Sequence, residues 1–256
     1  MNGSKDAPGA PLIGILCWEA GHKDTLSPFE QMTGNVANPN TFDFPVRYTR
    51  VKGAYYQTVV VQPSRQVLES MIQAARELEQ EGIRAITTSC GFNAIFQREL
   101  ANAVSVPVYA SSLLQVPLVH RMLQEGQCVG IITADEACLT EQHLAGAGIA
   151  GTKPVVIRGV EATGEFSKVR ADSNAVLDVA KFQEEVVGVA GALVTEFPDV
   201  GAIVLECTDL PPFAASIRRA TGLPVFDIVT LTVMIYEALA GDRWGSARVR
   251  HRFVIR

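Results

Sequence analysis

The residues best suited to chemistry in this 256-residue chain are its five cysteines, and their spacing narrows what that chemistry is. Cys17, Cys90, Cys128, Cys138 and Cys207 are never closer than ten positions, and no CxxC is present. A zinc ribbon or dithiol redox motif is therefore not expected. His22, His120, His143 and His251 are scattered, without HExxH spacing, so no metal site is expected. An isolated cysteine is usually a small buried apolar residue. Cys90 and Cys207 invite another reading, because each closes a short apolar run just before a predicted helix. A thiol at a helix start meets free N–H groups and the positive end of the dipole, which is expected to lower its pKa. Two such thiols on opposite sides of one small ligand would take a proton from one face of a carbon and return one to the other. Gly91, Phe92 and Asn93 follow the first cysteine, and Thr208 and Asp209 follow the second. Backbone N–H groups there would hold a substrate carboxylate and the charge that develops as an α-proton leaves. The Asn93 amide and Thr208 hydroxyl would add hydrogen bonds.

The elements that must position these thiols alternate in type. Predicted strands are 12–17, 57–62, 85–89, 106–110, 129–133, 154–160, 202–206 and 223–227. Predicted helices are 64–81, 94–104, 113–124, 136–147, 173–196, 212–221 and 231–240. The helix over 64–81 has a helical apolar period through Val67, Met71, Ala74, Ala75 and Leu78, with Gly82 as its stop. Alternating strands and helices predict an α/β fold of parallel sheets flanked by helices. Residues 21–52 break the alternation as a long loop, and such loops are usually functional or mobile.

The two halves match in register. Pro107 lies 17 positions after Cys90, and Pro224 lies 17 after Cys207. Gly14, in the first apolar strand, corresponds to Gly130 in the strand opening the second half. The expected architecture is two pseudo-symmetric lobes, 1–112 plus 229–256 and 113–228, with the site in the cleft between them. Ligands of open parallel sheets bind beyond the carboxyl ends of the strands, where both cysteines fall.

Composition is that of an ordinary globular chain with enough apolar surface to bury a core: 48% hydrophobic, 19% charged, net charge −5. That balance argues against a nucleic-acid partner. No apolar run reaches the roughly 18 residues of a membrane span. Residues 1–11 are polar and lack the apolar core of a signal peptide, so a cytoplasmic location with reduced thiols is expected.

The segments Thr87-Thr88-Ser89-Cys90-Gly91-Phe92-Asn93 and Val204-Leu205-Glu206-Cys207-Thr208-Asp209 resemble the paired cysteine motifs of the aspartate/glutamate racemase superfamily. Gly130-Ile131-Ile132-Thr133, followed by Thr140, resembles the start of that family's second half. The resemblance runs from about Leu12 to Gly241. It implies two pseudo-symmetric α/β lobes and an isomerase that needs no cofactor, with Cys90 and Cys207 as its acid/base pair. It also implies substrate-carboxylate binding by Thr208. Asp209 falls where aspartate racemases carry Glu and glutamate racemases carry His. The first motif departs from the usual Cys-Asn-Thr, reading Cys-Gly-Phe-Asn, which leaves the substrate open. Retention of Cys90 argues against the decarboxylases of the superfamily, which lack the first-half cysteine.

The function expected is a racemase or epimerase inverting the α-carbon of a small carboxylate, such as aspartate or glutamate. Hydantoin racemisation, maleate-type cis–trans isomerisation and carboxylate binding without turnover are the alternatives. Glu19 and Thr133, each at or just after a strand end, are further substrate-binding candidates. Glu206, Asp227, Ser111, Ser112 and Cys17 occupy similar positions. Arg47 and Tyr48, after the long loop, would either close over a carboxylate or lie on the surface. Gly146–Gly151 fits GxGxxG, but a helix precedes it and a strand follows, the reverse of the nucleotide fingerprint; it reads as a helix stop. The five arginines between Arg243 and Arg256 would form a surface cluster, suited to an edge between subunits of a homo-oligomer.

Overall fold

The structure, a computed structural model, describes residues 9–149 and 155–240. Eight strands form two parallel four-stranded sheets. The first contains β1 (Ile13–Cys17), β2 (Val46–Arg50), β3 (Ala85–Thr88) and β4 (Val108–Tyr109), in the order β2-β1-β3-β4. The second contains β5 (Cys128–Thr133), β6 (Val155–Gly159), β7 (Val200–Leu205) and β8 (Val225–Phe226), in the order β6-β5-β7-β8. The helices are α1 (Ser27–Glu30), α2 (Arg65–Gln80), α3 (Gln97–Ala103), α4 (Val116–Met122), α5 (Glu141–Gly146), α6 (Gly164–Ala171), α7 (Val179–Glu196), α8 (Ala214–Thr221) and α9 (Ile228–Ala240). The fold is α/β with two like lobes.

The repeat extends to single contacts. A Cβ on Gly14 in β1 would lie 2.8 Å from Leu78 Cδ1, and one on Gly130 in β5 would lie 2.8 Å from Leu193 Cδ2. Each lobe thus seats one leucine of its longest helix in the dent that a strand glycine leaves. The paired registers repeat as well: Ile86 faces Val108 and Thr87 faces Tyr109, as Ile203 faces Val225 and Val204 faces Phe226. β1 and β5 are buried along their whole length, as central strands covered on both faces must be. After β8 the chain returns to the first sheet, where Ile228 and Leu231 of α9 pack with Ile13, Ile15, Cys17 and Tyr109.

Several local expectations change. The β-branched run Gln57–Val61 forms a wide helical turn rather than a strand. The place beside β1 is taken by Val46–Arg50, within the segment expected to be loop, paired from Ile13↔Val46 to Cys17↔Arg50. β propensity measures fit to a pleated, half-buried surface. Val59 and Val60 find burial without pairing, whereas the alternation of Val46–Arg50 suits a half-exposed edge. In the second half, the helix expected from 173 starts at Val179, where the Asp178 side chain accepts from the Lys181 N–H. A separate α6 precedes it. α5 begins at Glu141 rather than 136, because Thr140 and His143 form a capping box there. Gly146 ends α5 and Gly148 turns with φ +74°, while Ala150 and Gly151 of the GxGxxG match lie outside the described residues. The arginines from 243 onward lie outside them too.

Candidate active site

The carboxyl ends of the two sheets meet over one cavity. Its walls include Ser89, Cys90, Gly91 and Phe92 after β3, Ala134 after β5, and Glu206, Cys207, Thr208 and Asp209 after β7. Trp18 follows β1. Leu26, Glu30, Asn35, Ala37, Tyr56 and Val60 come from the long segment between β1 and α2 and roof the space. The cavity volume open to water is about 30 Å³, room for roughly two waters. A substrate must therefore be small. The roof is tied to the second lobe by Arg170, which pairs with Asp24 at 2.9 Å and lies 3.7 Å over the Tyr56 ring. The Tyr56 hydroxyl donates to Asp135 Oδ2 at 3.2 Å.

Both cysteines line this cavity and both are buried. Cys90 precedes a 3₁₀ turn at Gly91–Phe96, and Cys207 precedes one at Pro211–Phe213 by several residues. The expected lowering of their pKa values is reversed. Burial and then the Glu206 carboxylate, with a lesser push from Asp209, hold Cys90 well above its ordinary value against the Phe92 N–H. Burial, then Asp209 and Glu206, do the same to Cys207. A short turn supplies too few aligned peptides to offset desolvation and two neighbouring acids. The carboxyls respond in kind. Burial raises Glu206 to about 8 and Asp209 to about 7. Cys207 Sγ faces Asp209 Oδ2 at 3.8 Å. Five acidic groups, the two thiols with Glu206, Asp209 and the Arg50-paired Glu30, thus line the cavity, and among the described residues no Lys, Arg or His side chain does.

The remaining expected site residues divide. Gly91, Phe92, Thr208 and Asp209 line the cavity. The Thr208 hydroxyl donates to the Ser89 carbonyl at 2.7 Å, tying the two cysteine loops together. Asn93 does not line it: its Nδ2 donates to Thr88 Oγ1 at 3.0 Å, inside the first lobe. Thr133 also stands behind the wall, donating to Glu206 Oε2 at 2.7 Å. Glu19 is not brought to the site. Its carboxylate accepts from the Gly53 N–H at 2.8 Å, bracing the turn after β2. Arg47 pairs with Glu81 on the surface, and Asp227 accepts from the Thr230 N–H at the start of α9. The Ser111 hydroxyl accepts from the Leu113 N–H, while Ser112 donates across to the Leu205 carbonyl at 2.6 Å. Cys17 is buried in the core that α9 completes, its thiol pushed up to about 12 by desolvation.

Trp18, Asn35 and Tyr56 were not foreseen. Trp18 had a readable signal, since it follows a central strand directly. Asn35 and Tyr56 arrive only through the path of the long segment. Trp18 and Tyr56 meet edge to face, 6.3 Å between centroids, and with Phe92 they give the cavity three aromatic walls. The buried Trp18 Nε1 has no hydrogen-bond partner. Among the described residues no group of three or more His, Cys, Asp or Glu is arranged to hold a metal ion, and no helix is long and apolar enough to cross a membrane.

Comparison with known proteins places these features in context. The family model described as Asp/Glu/Hydantoin racemase matches residues 69–235. A dimethylsulfoniopropionate lyase from Durusdinium sp. clade D is 32% identical over 224 residues, covering 85% of this chain and 74% of that protein. Dimethylsulfoniopropionate lyase 6 of Emiliania huxleyi (strain CCMP1516) is 30% identical over 263 residues, covering 95% of this chain and 66% of that one. The chain therefore spans about two thirds to three quarters of these relatives' length. Among solved structures, the allantoin racemase from Klebsiella pneumoniae shares the fold with a TM-score of 0.59 at 12% identity, over 90% of this chain and 88% of that one.

Proposed function

The chain belongs to the Asp/Glu/hydantoin racemase family, and from that premise we propose that it is an enzyme removing the proton α to the carboxylate of a small substrate, with loss of a cationic sulfonium group from the β-carbon. The observation that carries this reading is the cavity itself. Two thiols and three carboxyls, of which Glu30 is already paired with Arg50, line a small, aromatic-walled space with no basic side chain among the described residues. Such a space favours a substrate that brings its own positive charge. A sulfonium has no N–H to donate, so aromatic faces and nearby acids suit it better than hydrogen-bond acceptors would. The lyase relatives, named for a molecule with one sulfonium and one carboxylate, support the same substrate class.

Cys207 is the base in this reading. Its thiol proton passes to Asp209, whose raised pKa makes it a workable acceptor near neutrality. The substrate's cation, entering beside the thiols, stabilises the thiolate that burial disfavours. The thiolate takes the α-proton. That C–H electron pair becomes the new carbon–carbon double bond, and the carbon–sulfur pair leaves with the sulfur as a neutral dialkyl sulfide. The product is an α,β-unsaturated carboxylate. The acquired proton returns to solvent through Asp209, so proton and charge balance. Trp18 Nε1 supplies an unspent donor for the substrate carboxylate.

A second reading keeps the first step and returns the proton on the opposite face, giving a racemase or epimerase. What favours it is Cys90, since elimination needs one base and this cavity has two thiols. One experiment separates them. Pure protein is incubated in deuterated buffer with dimethylsulfoniopropionate, and separately with single enantiomers of aspartate, glutamate and hydantoins. Proton NMR showing vinyl protons and loss of the sulfonium methyl signal is the expected result. Exchange of the α-proton of an amino acid or hydantoin without elimination would select racemisation, and silence from every substrate would refute both.

A further inference from the structure

Glu206 precedes Cys207 and lines the cavity, yet its carboxyl packs across the lobe boundary on Gly91, the residue after Cys90. A Cβ at Gly91 would collide with both the backbone O and Oε1 of Glu206, so the glycine is what admits the acid. The residue is fully buried. Thr133 donates to its Oε2 at 2.7 Å, while Oε1 has no hydrogen-bond partner. A buried oxygen of this kind needs an explanation, and its place beside both thiols supplies one.

Resting on the α-proton reading above, we propose that Glu206 is a further catalytic residue, a neutral carboxylic acid whose Oε1 hydroxyl donates a hydrogen bond to the substrate carboxylate. The proton sits on Oε1 because Oε2 is occupied as the acceptor of the Thr133 hydroxyl. As the α-proton leaves for the cysteine, negative charge spreads onto the substrate carboxylate, and the Glu206 donor strengthens against it. The Glu206 proton is not transferred. The groups that face it agree with a neutral state. Asp209 and the two thiols are all acids, the further lining carboxyl Glu30 is paired with Arg50, no cation among the described residues lines the cavity, and burial holds Glu206 up to about 8 despite Thr133 and the Ala134 N–H. An ionised Glu206 would repel both the substrate carboxylate and a cysteine thiolate.

The test is calorimetric titration with propionate, a carboxylate that has no leaving group, from pH 6 to 9.5. Wild-type affinity should fall first as Asp209 ionises near 7 and again, more steeply, as pH rises through about 8, the Glu206 step adding up to about tenfold per pH unit. Binding at pH 8.5 should take up protons, measured across buffers of different ionisation enthalpy. Glu206→Gln, which keeps a donor but cannot ionise, should bind within a few-fold of wild type at pH 7 and lose the fall near 8, retaining only the transition of Asp209 near 7. Glu206→Leu should bind weakly at every pH. Wild-type affinity that stays flat across pH 8 with no proton uptake would overturn the proposal. So would a folded Glu206→Gln that binds as poorly as Glu206→Leu. The wild-type measurement needs no variant to fold. If propionate behaves as stated while no substrate is turned over, the functional reading fails and the catalytic role with it, leaving Glu206 as a donor to a bound carboxylate.

Discussion

Asn35 Nδ2 donates to Asp209 Oδ1 at 2.7 Å, so the long segment of the first lobe holds the acid that faces Cys207 in the second. Both residues are buried. The bond steadies the roof of the cavity and holds the Asp209 carboxyl below where burial alone would place it. Asn35→Ala should therefore act in two ways. It leaves a buried acceptor unpaired, at a cost of about 1–3 kcal/mol in urea unfolding. It also moves the Asp209 titration up from about 7, which carbon NMR of the carboxyl would read. An unmoved titration would detach Asn35 from the electrostatics of the site.

The two cysteines should separate by reaction. Cys207→Ala is expected to lower elimination by roughly 10²–10⁴, the usual worth of a positioned base. Cys90→Ala should reduce elimination far less, yet abolish any two-way inversion of an α-carbon. Release of volatile sulfide and polarimetry of an amino-acid substrate measure the two activities. Full elimination activity in Cys207→Ala would refute its role as base.

Alkylation gives an independent view of the thiols. A thiolate reacts and a thiol does not, and burial with neighbouring acids pushes both site cysteines well above the ordinary cysteine value. Iodoacetamide labelling at Cys90 and Cys207, mapped by mass spectrometry, should be slow at pH 7.5 and still rising above pH 9. A plateau below pH 8 would show low-pKa thiolates instead.

Stability should fall with rising pH across the range where the buried carboxyls hold protons that the unfolded chain has released. Asp209 stands at about 7 in the fold against 3.8 ordinarily, and Glu206 at about 8 against 4.5. Between the ordinary and folded values the native state binds more protons than the unfolded one. Each group then contributes a loss of up to about 1.4 kcal/mol per pH unit, ending above its folded value. Urea midpoints of wild type and of Asp209→Asn from pH 4 to 9 check this. The wild type should lose stability relative to the variant between about pH 4 and 7, and a difference running the other way would show that Asp209 is ionised more readily in the fold.

Much of this arrangement was legible in the residues alone. Alternating apolar runs and helical periods carry the α/β class, and the matched spacing of Cys90–Pro107 and Cys207–Pro224 carries the duplication. The cause is local: a covered parallel strand must be apolar on both faces, and a repeated unit repeats its glycines where a leucine must approach, as at Gly14 and Gly130. Placement of both cysteines at strand ends follows from the same patterns. Tertiary structure alone decided the rest. Val46–Arg50 pairs with β1 while the more β-prone Gln57–Val61 does not, because pairing depends on which segment reaches the free sheet edge. Glu19 is drawn away by a turn, and Asn35 and Tyr56 are drawn in by the path of one long segment. The sign of the thiol pKa shifts was also beyond the sequence. It depends on how much water is excluded and which acids share the cavity, and both are set by distances between residues more than a hundred positions apart, such as Cys90 and Glu206.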